Sequence, residues 1–308
     1  NLAGLLCDTG SFREAEELHR EALKIRRNLA EKNPDAYLSD LSDSCNNLAL
    51  LLHDTDSFRE AEELHREALK IRRNLAEKNP DVYLPVLAEN CNNLAGLLCD
   101  TGSFREAEEL YREALKIYRD LVEKNPDAYL PELATSCNDL ATLLHNTGSF
   151  KEAEELSRET LKIYRDLVEK NPDAYLPELA TSCNDLATLL HNTGSFKEAE
   201  ELSRETLKIY RDLVEKNPDA YLPDLAISCN NLATLLYNTG SFKEAEELLQ
   251  ESLKIRRELS EKYPDVYLPE LAMSCNNLAT LLYNIGSFKE TEELLQESLK
   301  IRRELSEK

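Results

Sequence analysis

Eight cysteines and five histidines (His19, His53, His65, His145 and His191) are the side chains that could hold a metal or act as nucleophile and base. Their spacing argues against both uses. Six of the cysteines recur at positions 45, 91, 137, 183, 229 and 275, one every 46 residues, and no C-x2-C pair occurs. If each sits on an equivalent helix, neighbouring thiols are ~8–10 Å apart. That is too far to share one zinc, and beyond the ~7 Å Cα separation a disulfide tolerates. His53, Cys99, His145 and His191 fill one slot in successive units, a ladder rather than a cluster. No Cys-His-Asn, G-x-S-x-G or Walker-type segment stands out. The expectation is no catalytic residue, no metal and no cofactor. The cysteines read as small buried hydrophobes, and reduced thiols point to a cytoplasmic protein.

The asparagines carry the sharper signal. The residue after the recurring Cys is Asn46, Asn92, Asn138, Asn184, Asn230 or Asn276; the next is Asn47, Asn93, Asp139, Asp185, Asn231 or Asn277. Asn is a mediocre helix former and costly to bury without partners. Its amide offers a donor and an acceptor together, which can pair with both groups of an extended peptide backbone. A structural bridge between adjacent units, which is compatible with peptide binding, and simple copying by duplication are the competing readings.

These side chains sit on a repeat that accounts for the whole chain. Every phenylalanine, from Phe12 to Phe288, lies in the same 46-residue register, and Leu115–Pro177 is identical to Leu161–Pro223. Within the fourth unit Leu133, Cys137, Leu140, Ala141 and Leu144 follow a helical period, then NTGS intervenes. Gly148 suits a left-handed helix-closing residue, with Asp56 in its place in the second unit. Ser149 and Glu152 match a capping box for a second helix over about 150–170. Its buried stripe is predicted as Phe150, Ala153, Leu156, Leu161, Tyr164, Leu167 and Val168, and Asn171-Pro172 ends it. The YLP segment reads as a link, with Pro177 in the opening turn of the next helix. No segment alternates like a strand. A helix pair with apolar residues on more than one side must stack on its neighbours, so one array is expected. Its units fall near 1–38 (incomplete), 39–84, 85–130, 131–176, 177–222, 223–268 and 269–308.

The unit resembles a tetratricopeptide repeat, whose pattern runs W-x2-L-G-x2-Y, then A-x3-F. Here the fourth unit reads Cys137-x2-Leu140-Ala141-x2-Leu144, then Ala153-x3-Ser157. Ala49, Ala95, Ala141, Ala187, Ala233 and Ala279 fill the small-residue slot where two helices approach closely. The period departs from the usual 34, and with the NNLA and EAE segments it is similar to the longer repeats of kinesin light chains and their microbial relatives. The resemblance implies an all-α, right-handed superhelical solenoid of helix-turn-helix units. It also implies that the Asn and Asp positions above, with His53, His145, His191, Tyr237 and Tyr283, line a concave groove and contact peptide. The same groove would include Gly4, Cys7 and Asp8 in the first unit.

Charge narrows the partner. Fifty-nine acids against 37 bases give −22, which disfavours nucleic acid and anionic membrane surfaces. The groove slots hold no Lys or Arg, so the expected ligand is a neutral or basic peptide. The Glu-rich start and KIRR end of each second helix read as a solvated surface matched to the helix dipole. Two other functions stay open: end-to-end stacking of copies into filaments, and service as the sensor arm of a larger enzyme. Without a start Met or a visible signal peptide, the chain is expected to be a segment of a longer protein.

Overall fold

The computed structural model describes Leu6 and Ser11–Glu307; Gly4, Cys7 and Asp8 lie outside the described residues. Among the described residues there are thirteen α-helices and no strand. They are α1 Phe12–Lys32, α2 Pro34–Asp54, α3 Phe58–Lys78, α4 Pro80–Asp100, α5 Phe104–Lys124, α6 Pro126–Asn146 and α7 Phe150–Lys170. The chain continues through α8 Pro172–Asn192, α9 Phe196–Lys216, α10 Pro218–Asn238, α11 Phe242–Lys262, α12 Pro264–Asn284 and α13 Phe288–Ser306. Even-numbered helices are the first of each pair and odd-numbered helices the second. The chain divides into two compact units, residues 1–160 and 161–308.

Every helix from α1 to α12 has 21 residues, so the repeat is a 21-residue helix, a three-residue turn, a second such helix and one corner residue. The extra length over a 34-residue repeat is therefore shared by both helices. The YLP segment is no link. Helices begin at the proline after the corner residue (Pro172 after Asn171), and Pro177 lies a full turn inside. Proline at the first helical position costs nothing, because that N–H has no intrahelical partner. Pro177 removes one hydrogen bond, to the carbonyl of Asp173, a residue at the exposed helix start.

The turn behaves as its residues dictate. Gly102, Gly148, Gly194, Gly240 and Gly286 have φ between 80° and 88°, and Asp56 takes φ 59° in the same place. The serine that follows does not cap through its side chain: Ser57, Ser103, Ser195, Ser241 and Ser287 make no side-chain cap hydrogen bond. The glutamate of the expected capping box is engaged elsewhere. Glu60, Glu106, Glu152 and Glu244 each receive a two-pronged guanidinium, from Arg20, Arg66, Arg112 and Arg204 at 2.5–2.9 Å. A second row, Arg27–Glu67, Arg73–Glu113, Arg119–Glu159, Arg165–Glu205, Arg211–Glu251 and Arg257–Glu297, runs parallel at 2.5–2.8 Å. Single exposed pairs contribute ~0–1 kcal/mol, but these link consecutive second helices in a repeated geometry.

The core lies between helices. Cys45, Cys91, Cys137, Cys183, Cys229 and Cys275 are fully buried, as are the leucines three residues after them or nearly so. Burial pushes the first five thiols up to about 12 and Cys275 to about 11, so they are protonated spacers without nucleophilic character. The phenylalanines depart from expectation. Phe150 is 44% exposed, because the first residue of the second helix sits at the turn edge, where only one ring covers it. That ring is His145, at 5.6 Å between centroids.

Candidate functional site

The first helices segregate charge. From α2 to α12 they contain acids and no Lys or Arg, so every Lys and Arg of the described residues lies on the second helices. One face of each first helix packs against second helices. A more exposed stripe beside it follows a seven-residue spacing: Ala36, Asp43 and Leu50 on α2, Val82, Glu89 and Gly96 on α4, and Ala128, Thr135 and Thr142 on α6. On α8, α10 and α12 it carries Ala174, Thr181 and Thr188; Ala220, Ile227 and Thr234; and Val266, Met273 and Thr280. Most of these are exposed, with Asp43 and Gly96 intermediate.

The asparagines flank this stripe and bridge consecutive first helices. In the first unit Asn93 Nδ2 donates to Asn46 Oδ1 at 3.3 Å. In the second, Asn231 donates to Asn184 and Asn277 to Asn230, each at 2.8 Å. The second residue after the recurring Cys in one repeat thus reaches the first residue after it in the repeat before. Asn46 is buried, Asn47 exposed, and Asn92, Asn138, Asn184, Asn230 and Asn276 are half-buried, as are Asp139 and Asp185. A rung uses one N–H of the donor and the oxygen of its partner; the donor's own oxygen and the partner's N–H groups are not used by it. Thr188, Thr234 and Thr280 turn their hydroxyls inward onto the carbonyls of Asn184, Asn230 and Asn276 at 2.8–2.9 Å.

A second row of bridges runs one turn further on. His53 Nε2 meets Asp100 Oδ2 at 2.7 Å, Asn238 meets His191 at 2.8 Å, and Asn284 Nδ2 donates to Tyr237 Oη at 2.7 Å. Each of His53, His145, His191, Tyr237 and Tyr283 also stands 5.6–5.7 Å from the Phe five residues later. Tyr283 remains 60% exposed. In the second unit the slot thus holds a ring in each repeat, His191, Tyr237 and Tyr283, whereas in the first unit Cys99 stands between His53 and His145. No group of three or more metal-ligating side chains forms among the described residues.

Asp139 breaks the amide pattern. It takes the place of Asn93 in a half-buried position, and burial pushes its carboxyl up to about 6. On the preceding first helix, Asn92 donates to Ser136 Oγ at 2.7 Å while its Oδ1 is buried without a partner. A side chain with its own N–H at position 139 would supply that donor. Asp139→Asn is therefore expected to stabilise the first unit above pH 6 by about 1 kcal/mol. The advantage should shrink as pH falls from 6 toward 3.8, because the native carboxyl then binds its proton before the unfolded one does. Urea unfolding at pH 7.5 and pH 4 checks both halves; equal gains at the two pH values would contradict the carboxylate origin.

The sequence pattern did not reveal the buried arginines. The first Arg of KIRR was expected in solvent, yet Arg72 and Arg256 are 3% and 5% exposed. Arg72 pairs with Asp43 and lies 5.9 Å from the Tyr83 ring centroid; Arg256 pairs with Glu270 and lies 5.8 Å from that of Tyr267. The available signal was the slot itself, which holds Tyr118, Tyr164 and Tyr210 in the intervening repeats. These arginines neutralise acids of the first helices from beneath.

Comparison with known proteins bears on this geometry. Tetratricopeptide-repeat family models match residues 40–120 and 86–166, and residues 1–35, 179–219, 225–264 and 271–307. Curated proteins yield no match. Among solved structures, BtubC (BKLC) from P. vanneervenii is 25% identical with a TM-score of 0.66, over 81% of this chain and 92% of that one. A Podosopora anserina protein of nearly identical TPR-like repeats, classed with kinesin light chains, is 22% identical with a TM-score of 0.58, over 73% and 98%. A signal transduction ATPase with a tetratricopeptide repeat sensor, from Pyrococcus horikoshii, has a TM-score of 0.71 at 17% identity; it covers 99% of this chain and 42% of that one. No helix of the described residues is long and apolar enough to cross a membrane.

Proposed function

Because the chain belongs to the tetratricopeptide-repeat family, we propose that it is a non-enzymatic protein-interaction scaffold. The exposed stripes of its first helices hold an extended, neutral or basic peptide. The observation that carries this reading is the charge segregation: six consecutive first helices without a Lys or Arg, presenting amides, threonines and carboxylates. Within each unit such stripes are matched to a polypeptide backbone and to cationic side chains, and are mismatched to phosphate or to a terminal carboxylate.

The asparagine rungs have two compatible roles. They set the spacing of the first helices, and their remaining N–H and oxygen groups pair with ligand backbone. In the first unit Asp54 and Asp100 attract basic side chains, while in the second Tyr237 and Tyr283 offer ring faces. The free, buried thiols suit a reducing, cytoplasmic setting.

Selection of peptides from a random library on the full chain is the test. Changing Asn184 and Asn230 together to Ala is expected to weaken a selected peptide at least tenfold while circular dichroism stays unchanged, as loss of two or more backbone hydrogen bonds requires. Unaltered affinity would remove the amides from the binding site and leave them as spacers. An empty selection would count against the scaffold reading itself.

A further inference from the structure

The second unit, taken by itself, presents a graded stripe whose chemistry defines a ligand more narrowly than the scaffold reading on which this inference rests. At one register position α8, α10 and α12 carry Thr181, Ile227 and Met273. Ile227 is 44% exposed and Met273 53%, and Val266, two turns before Met273 on the same stripe, is 61% exposed. Ile227, Met273 and Val266 share one stripe on two helices stacked side by side, and it is apolar side chains grouped in this way, rather than scattered singly, that mark an interaction surface. The acids beside them are not available to repel an apolar ligand. Glu270 is paired with the buried Arg256, and Asp224 is half-buried with the same guanidinium acting on it. Glu178, at the equivalent position on α8, is exposed.

Spacing sets the conformation of what fits. The rungs Asn231–Asn184 and Asn277–Asn230 hold the three helices side by side, and packed helix axes lie ~8–10 Å apart. A β-strand advances ~6.6 Å between side chains on one face, which falls out of step with that interval. A polyproline-II segment places every third side chain on one face, ~9.3 Å apart, in step with the helices.

We propose that α8, α10 and α12 bind a polyproline-II segment of the form apolar-x-x-apolar-x-x-basic, its two apolar side chains on Met273 and Ile227 and its cation beside Glu178. The intervening residues face away, so prolines are accepted there and reduce the entropy lost on binding.

The probe is acetyl-Leu-Pro-Pro-Leu-Pro-Pro-Lys-amide and its reversed sequence, against a control with single prolines between the same three residues. Met273 is the one methionine of the chain, so its labelled methyl group reports occupancy by NMR without ambiguity. One of the two directions is expected to shift that signal and to bind at least tenfold more tightly than the control. Ile227→Thr with Met273→Thr, which copies the α8 residue onto α10 and α12, should lose about tenfold or more with helicity unchanged. Glu178→Gln should remove the part of the affinity that falls with added salt.

If library-selected peptides bind the chain while neither probe outperforms the control, or the Thr variants bind as the parent does, this inference fails and the scaffold reading stands. If no library peptide binds either, both fail together.

Discussion

Asp43→Ala is expected to destabilise the α2–α3 pair by about 3 kcal/mol, near the lower end of what removing one partner of a buried ion pair costs. Arg72 is the reason. Its side chain is 3% exposed, its Nε has no partner, and Asp43 supplies the counter-charge; Ser39 adds only a 3.4 Å contact. The figure stays near the low end because Asp43 itself is 48% exposed, so water can reach part of the vacated site. Helix-pair arrays open locally, so the measurement is the amide hydrogen-exchange free energy across α2 and α3. A control comes from within the chain. In the second unit the equivalent positions hold Thr181 and Tyr210, whose hydroxyls meet at 3.2 Å. The double variant Asp43→Thr with Arg72→Tyr should therefore regain most of the loss, since a neutral hydrogen-bonded pair needs no counter-charge. A loss below 1 kcal/mol for Asp43→Ala would mean that water already solvates Arg72.

His65→Leu is expected to stabilise the same pair, increasingly so toward acid pH. His65 on α3 is fully buried and neither ring nitrogen has a partner. Burial, with a smaller contribution from His53, pushes its imidazole down to about 4. Leu249 fills the equivalent slot at 6% exposure, so the cavity accepts the substitution. At pH 7.5 both native and unfolded rings are neutral, and the gain is about 1–2 kcal/mol from no longer desolvating two polar atoms. Between pH 6.5 and 4 the unfolded ring takes a proton that the native ring refuses, so the parent loses stability as pH falls through this window. The variant does not, and the gap should widen by up to about 3 kcal/mol at 1.4 kcal/mol per unit. Asp139 acts in the opposite direction over the same range, which is why the parent's own profile is uninformative. The difference between parent and variant, from urea unfolding at several pH values, isolates the histidine. A gap that stays constant from pH 7.5 to 4 would show that His65 finds solvent or a partner when protonated.

Sequence alone determined the parts of this protein that depend on local chain chemistry. The 46-residue period, the helix pair, the glycine turn with Asp56 standing in, the proline corner and the burial of the recurring Cys all follow from residue type and periodicity. Each is set within a few residues, so each is legible one repeat at a time. What the tertiary structure decided involves partners 29 to 47 residues apart. Glu152 looked like half of a capping box because its neighbour Ser149 is close in sequence; its partner is Arg112, on the preceding second helix. The first Arg of KIRR looked solvated because charge runs usually are, and only the packing of α3 beneath α2 places Arg72 out of water. Phe150 looked like core because it is apolar and in register, but the turn puts it at an edge. The asparagines were recognisable as a ladder from their recurrence. That Asn231 reaches back to Asn184 rather than outward alone is a matter of helix rotation and spacing. A period in the sequence reports that neighbouring repeats are equivalent; which atoms they exchange depends on the angle at which equivalent helices pack.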